Sequence, residues 1–350
     1  MADGLMILAG STLDRAIAAF REGRLRARKS SVTAVRPGMC ANTAERLRSI
    51  NVGPISHLVE VTAESPLELF VPSAGERRSF KEYEFSVCPQ EYPRGAFLEV
   101  ADGILMFSPA QYYLWKCGQL DSVAKRVLLA MELCGTYAGR LPGRLDLGCE
   151  FGIEPLLDIE ELRRYLELAR GTRGAGPALA AAKLALGNAY SPRESVVALE
   201  QCLPVRLGGR GYPVPKLNPF VEVADDVRGL TARDSFKPDI FWDGAALDVE
   251  YDGGYHNLSE QIERDKARVA DIQACGIKVI SATRLSLSSF DRAELLGRQI
   301  GLALEPELGP AFTKRLGRLE RQERVAERRE LHAELMAATR SMGERTYVNW

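Results

Sequence analysis

Residues 236–256, FKPDIFWDGAALDVEYDGGYH, gather Asp239, Asp248, Glu250, Asp252 and His256 within one short stretch. Hard carboxylate oxygens suit Mg²⁺ or Mn²⁺, and an imidazole moves protons near neutral pH. Asp243-Gly244 signals a hairpin between Ile240-Phe241-Trp242 and Leu247-Asp248-Val249-Glu250-Tyr251, two runs that favour strands. Alternation along the second run sends Leu247, Val249 and Tyr251 to one face and Asp248, Glu250 and Asp252 to the other. A four-residue loop pairs Trp242 with Leu247 and sets Asp239 opposite Glu250, whereas a two-residue loop sets Asp239 opposite Asp248. Either register puts carboxylates side by side, which is unfavourable unless they face water or hold a cation. The alternative to a metal site is a solvated edge strand.

The elements that must position these acids follow from the flanking sequence. Upstream, Ser191-Pro192-Arg193-Glu194 reads as a capping box with Pro at the first helical position, followed by a buried face at Val196, Leu199 and Leu203. Between that helix and the hairpin, Arg206, Arg210 and Lys216 lie in or beside the Gly-rich Leu207–Tyr212 segment. Such a loop, with Tyr212 available for stacking, suits a phosphate backbone or is a plain exposed turn. Downstream, Ser259 caps a helix that Gly276 ends, with Ile262, Val269 and Ile272 as its apolar stripe, and KVISAT at 278–283 is a buried strand.

The ordered set of Glu194 on a helix, Lys237-Pro238-Asp239, Glu250-x-Asp252-Gly253-x-x-His256, Arg264-Asp265, Val279-Ile280 and Thr283-Arg284 resembles the PD-(D/E)XK nuclease superfamily. Within it, residues 190–290 look like the small bacterial branch of very short patch repair (Vsr-like) endonucleases. The resemblance implies an α/β fold with a restriction-endonuclease-like α-β-β-β-α-β core over 186–305. It implies Mg²⁺ or Mn²⁺ held by Asp239 and Glu250, with the Tyr251 carbonyl close by and Glu194 approaching directly or through water. Asp252 and His256 would orient or deprotonate the attacking water. Arg206, Arg210, Lys216 and Lys266 are the candidate nucleic-acid contacts. The superfamily usually carries Lys two residues after the second acid, where this chain has Asp252, and Lys266 is the candidate stand-in.

Length and composition set the frame. A chain of 350 residues predicts two domains with cores of their own, and 46% hydrophobic with 27% charged residues is ordinary for a globular protein. A net charge of −1 excludes a global polyanion-binding field while leaving room for a local basic groove. Seven scattered cysteines without CxxC spacing, and only three His, argue for reduced thiols rather than structural zinc. The N-terminus lacks a basic n-region and no run is long enough to span a membrane, so a cytoplasmic protein without a membrane partner is expected.

Residues 1–170 read as a separate mixed α+β domain of targeting or regulatory role. Residues 12–28 form an amphipathic, Arg-rich helix, strands are expected at 55–61, 67–71, 85–87 and 103–107, and helix from 109 to 137. His57 reads as a satisfied core histidine in the first of those strands. The stretch DGILMFSPAQYYLWKCGQL, within residues 50–140, resembles the abortive-infection type IV (AbiEi-type) antitoxin domain, although residues 1–50 lack its three-helix winged pattern. Glycines and a proline at 171–177 break the helical text of 157–185 and mark the boundary. Residues 306–350 read as a charged helical tail with a partial stripe at Phe312, Leu316, Leu319, Val325, Leu331 and Leu335. The expected activity is phosphodiester hydrolysis, most simply of DNA, in phage defence or a toxin–antitoxin-like system. The alternative is a non-catalytic nucleic-acid-binding regulator that keeps the fold. A homo-oligomer or protein partner would engage the N-terminal domain or the C-terminal helix.

Overall fold

The computed structural model describes residues 4–58, 62, 64–139, 149–225, 227–231, 233–252, 259–319 and 321–339. In chain order the elements are β1 (Met6–Leu8), α1 (Gly10–Arg21), β2 (Arg28–Lys29), α2 (Ala44–Ser49), β3 (Leu67–Val71), β4 (Tyr83–Val87), β5 (Phe97–Ala101) and β6 (Ile104–Phe107). There follow α3 (Pro109–Cys117), α4 (Val123–Leu133), β7 (Tyr137–Ala138), β8 (Glu150–Phe151), α5 (Ile159–Leu168), α6 (Ala175–Ala182) and α7 (Pro192–Cys202). The last part holds β9 (Lys216–Leu217), β10 (Val221–Glu222), β11 (Ser235–Phe236), β12 (Ile240–Trp242), β13 (Leu247–Asp252), α8 (Ser259–Ala274), β14 (Lys278–Thr283), α9 (Phe290–Leu319) and α10 (Gln322–Thr339). The architecture is mixed α/β, and the chain divides into two compact units. No described helix is long and apolar enough to cross a membrane.

The first unit comprises residues up to 121 with 153–183. Its sheet runs β2-β5-β6-β1-β3-β4, with β1 parallel to β6 and antiparallel to β3. Packed rings form its centre, Phe70 stacking on Phe107 at 5.2 Å between centroids and Phe97 and Trp115 meeting the same Phe107. Helix α1 buries Leu13, Ala16 and Ile17, and its one buried acid, Asp14, accepts from the Tyr112 hydroxyl at 2.7 Å and pairs with Lys116. The expected helix over 12–28 is thus present only as far as Arg21; Arg24 and Arg26 lie in the turn and coil that follow, and Arg28 opens β2.

Strands at 67–71, 83–87 and 104–107 match the expected runs. Residues 55–58 of the expected strand are not extended, and 59–61 lie outside the described residues: Gly53-Pro54-Ile55 makes a 3₁₀ turn, and His57 is exposed rather than a core histidine. Proline fixes φ near the helical value and withholds an N–H, which favours the turn over a ladder. The helical text of 109–137 splits in two, because Gly118 ends α3 and the Ser122 side chain caps α4 by accepting from Lys125 N–H. After the break at Gly171–Gly174 the chain resumes as α6, with Pro177 in its first turn, where no backbone donor is lost.

The second unit comprises 122–139, 149–152 and residues from 184 onward. Its sheet runs β14-β13-β12-β9, with β12 antiparallel to both β9 and β13, and β13 parallel to β14. A short β10–β11 pair is inserted between β9 and β12. The hairpin uses the four-residue loop, pairing Trp242 with Leu247 and Ile240 with Val249. The loop closes as a 3₁₀ turn over Asp243–Ala245, with Ala246 left-handed at φ 43°. One face of the sheet carries the cluster Phe236, Phe241, Ile272 and Ile277, to which α8 contributes Ile272. Gly276, at φ +76°, ends α8 where a left-handed residue is wanted.

Helix α10 packs on α7, and the partial stripe of the charged tail is core at Leu331 and Leu335. Phe312 is buried against Tyr212, with ring centroids 5.4 Å apart.

Candidate active site

Helix α7 begins as its sequence dictates. The Ser191 hydroxyl accepts from Glu194 N–H at 3.1 Å with Pro192 in the first turn, and the Glu194 carboxylate reaches back to Tyr190 N–H at 2.9 Å. Its bond lands one residue before the position a reciprocal capping box uses. The same Glu194 oxygen accepts from the Asn218 side-chain amide at 2.9 Å, so a fully buried hydrogen bond ties the helix start to the residue after β9.

Because Ile240 pairs with Val249, the next rung sets Asp239 opposite Glu250. One Asp239 oxygen accepts from Tyr251 N–H at 2.8 Å. Burial, then the Glu194 and Glu250 carboxylates, push its pKa well above the ordinary aspartate range. Asp239 therefore feels the charges of both Glu194 and Glu250, which the Tyr251 amide, by its hydrogen bond, and the Arg268 charge offset only in part.

Asp248 enters this group where the sequence had offered Asp252. It lies between Phe241 on β12 and Val279 on β14, on the face that α8 covers, and it is entirely buried. Neither of its oxygens has a hydrogen-bond donor, nor has Oε1 of Glu250. Burial, together with the adjoining Glu250 carboxyl, pushes Asp248 up to about 10. Two carboxylates cannot hydrogen-bond to each other, so contact between them requires a proton, and Asp248 is the group that holds it. The other oxygen of Glu250 pairs with the guanidinium of Arg268 on α8, which also donates to the Lys237 carbonyl at 2.5 Å.

Asp252 stands exposed at the end of β13, and His256 lies outside the described residues, as do the side chains of Arg264 and Asp265. Of the basic candidates, Arg206 and Lys266 are exposed, and Lys216 is exposed in an ion pair with Asp243 at 2.9 Å. Arg210 is a correction. It is buried, with its guanidinium 2.8 Å from Glu294 and bonded to the Glu294 carbonyl, so it is a structural cation rather than a phosphate contact. Tyr212, expected to be free for stacking, is likewise buried and donates to the Gly297 carbonyl. Gly209 explains part of this: a Cβ there would meet the Leu203 carbonyl at 2.0 Å, so its neighbour Arg210 belongs to a tightly packed turn and not a loose loop.

The sequence passed over Asp248 and Arg268. Alternation had placed Asp248 on the acidic face beside Glu250, which was the available signal. Arg268 lay in the basic run after the hairpin, where nothing but a helix of known phase distinguishes it from Lys266.

Asp239, Glu250 and Asp248 bring hard oxygens to one part of the sheet, and buried oxygens of Glu250 and Asp248 have no donor other than the Asp248 proton. Among the described residues, no group of three or more His, Cys, Asp or Glu has its side chains arranged to hold a metal ion, and Arg268 stands on Glu250. All seven cysteines are free thiols. No family model, curated protein or solved structure matches the chain.

Proposed function

We propose that the second unit is a metal-dependent nuclease, an endonuclease hydrolysing phosphodiester bonds of DNA. The observation that carries the reading is the rung Asp239–Glu250, with Glu194 close enough to raise the Asp239 pKa. The run α7-β9-β12-β13-α8-β14, three antiparallel strands followed by a helix and a parallel strand, supports a restriction-endonuclease-like core. Asp239 and Glu250 would hold Mg²⁺ or Mn²⁺, with Glu194 and Asp248 beside them. A bound ion would polarise the scissile phosphate and acidify the attacking water.

The chain's own groups supply the remaining chemistry. Tyr251 N–H fixes the Asp239 carboxylate, and the Asn218 amide fixes Glu194, so two acids are held in place before any ion arrives. Asp252, exposed at the strand end, would accept a proton from water at the edge of the site. The exposed Arg206, Lys216 and Lys266 are the cations left to meet a phosphate backbone. The first unit serves as the targeting or regulatory part, a role that rests on its antitoxin-like stretch, and phage defence or a toxin–antitoxin-like system is the setting that stretch suggests.

A second reading, a nucleic-acid-binding regulator without catalysis, is favoured by the Arg268 guanidinium on Glu250 and by the lack of a ready three-ligand set among the described residues. Incubation of the full chain with supercoiled plasmid and Mg²⁺ or Mn²⁺ separates the two. The nuclease reading expects nicking or linearisation that Asp239→Ala and Glu250→Ala each reduce at least a hundredfold. Salt-sensitive gel shifts without turnover under either ion favour the regulator, and cleavage indifferent to both substitutions removes the site.

A further inference from the structure

We propose that Arg268 is a built-in cation that competes with a divalent ion for Glu250, so that ion binding and the Arg268–Glu250 pair exclude each other. The inference rests on reading the acid cluster as a metal centre, and it adds a regulatory step that the reading alone does not contain.

Three observations carry it. First, Arg268 is anchored at two points that belong to different segments: its Nη1 pairs with Oε2 of Glu250 on β13, and its Nη2 donates to the carbonyl of Lys237 just before β12. A side chain merely lying on the surface would not bridge the two sides of the Asp239–Glu250 rung. Second, the acids around it are short of donors. Asp248 is wholly buried with both oxygens unpartnered, and Oε1 of Glu250 is unpartnered as well. These oxygens have only the Asp248 proton between them, so the Arg268 guanidinium on the other Glu250 oxygen is the full positive charge set against that carboxylate. Third, the Arg268 side chain keeps 28% of its surface exposed while that of Glu250 keeps 14%, so the long guanidinium side chain is the more exposed and freer of the two to swing into solvent.

The exclusion follows from geometry and charge. Mg²⁺ and Mn²⁺ need carboxylate lone pairs at close range in near-octahedral order, and the lone pairs of Oε2 are spent on the guanidinium. A guanidinium and a divalent ion on one carboxylate repel each other at a few ångströms, in surroundings where water screens poorly. One must leave, and Arg268 is the partner with somewhere to go. Once released, its fork of donors matches two oxygens of a phosphodiester. Substrate would then stabilise the released guanidinium, and through it the bound ion, making DNA and metal binding mutually reinforcing.

The test is a calorimetric titration of Mn²⁺ into the full-length protein and its Arg268→Ala and Arg268→Lys variants. Removing the competitor is expected to tighten Mn²⁺ binding at least tenfold in Arg268→Ala, with Arg268→Lys between it and the wild type. Thermal melts of the same samples provide a second readout. The metal-free Arg268→Ala protein is expected to melt below wild type, because Glu250 loses its counter-charge, and Mn²⁺ should raise its melting temperature by more than it raises that of wild type. Should Arg268→Ala fail to fold without metal, Arg268→Lys carries the comparison. Equal or weaker Mn²⁺ affinity in a folded variant overturns the inference and leaves the metal centre standing. No Mn²⁺ binding by any of the three proteins overturns both.

Discussion

A buried carboxyl without a donor keeps its proton, and Asp248 is in that position. Both its oxygens are unpartnered and the neighbouring Glu250 carboxyl raises its pKa further. Replacing it with Asn keeps the shape and supplies a permanent donor to Glu250. Asp248→Asn is therefore expected to match wild-type stability within about 1 kcal/mol in urea unfolding at pH 7, whereas Asp248→Ala is expected to lose roughly 1–3 kcal/mol by leaving Oε1 of Glu250 without a donor. An Asn variant as damaged as the Ala variant would contradict the shared-proton assignment. At this scale the sequence was half legible. Asp239 and Glu250 emerged from alternation and hairpin register. Asp248 was set aside because its environment depends on α8 covering that face, and Arg210 and Tyr212 were misjudged because glycines that look flexible in sequence here permit close packing.

Helices α7, α9 and α10 are joined by buried charges as well as by apolar contact. Glu294 on α9 accepts from Arg328 of α10 at 2.8 and 3.0 Å and from Arg210 at 2.8 Å, and His332 of α10 meets Glu200 of α7 at 2.6 Å, all of them buried. Burial alone would raise the Glu294 pKa, but Arg328 and Arg210 outweigh it and hold the carboxyl below the usual range. A lowered pKa means that the folded state binds fewer protons than the unfolded state within that window. Its stabilising contribution is present above the ordinary glutamate range and is lost as pH falls through and below it. Glu294→Gln is thus expected to cost about 3–5 kcal/mol at pH 7, the cost of breaking a buried pair, and clearly less near pH 3, as read by urea unfolding at both values. A penalty independent of pH would show that the carboxylate charge is not what binds α10. At the hairpin, Ala246 sits at φ 43°, a conformation that glycine adopts without strain. Ala246→Gly is expected to raise stability by about 0.5–1 kcal/mol, and a loss of stability on urea unfolding would place the constraint elsewhere.

At the scale of the molecule, two units each carry their own sheet and core. The C-terminal order of helix, strands, helix and strand was legible because capping residues, the Asp-Gly turn and Gly276 all lie where backbone chemistry requires them. The charged C-terminal text was less legible, since its partners, Glu200 and Glu294, lie far off in sequence and a buried ion pair cannot be told from a solvated one by composition. In the N-terminal unit, β1 pairs with strands about 60 and 100 residues away, at Leu69–Phe70 and Ile104–Leu105, and a three-residue strand of that kind leaves little periodicity to read. The central claim is that the acids on β12 and β13 form a metal centre. A crystal of the full chain soaked in Mn²⁺, with data collected to map the anomalous signal of the ion, tests it most directly. The account predicts a single strong peak bounded by Asp239 and Glu250, with Arg268 turned away from Glu250. An Mn²⁺-saturated crystal with no peak there, and Arg268 still on Glu250, would contradict it.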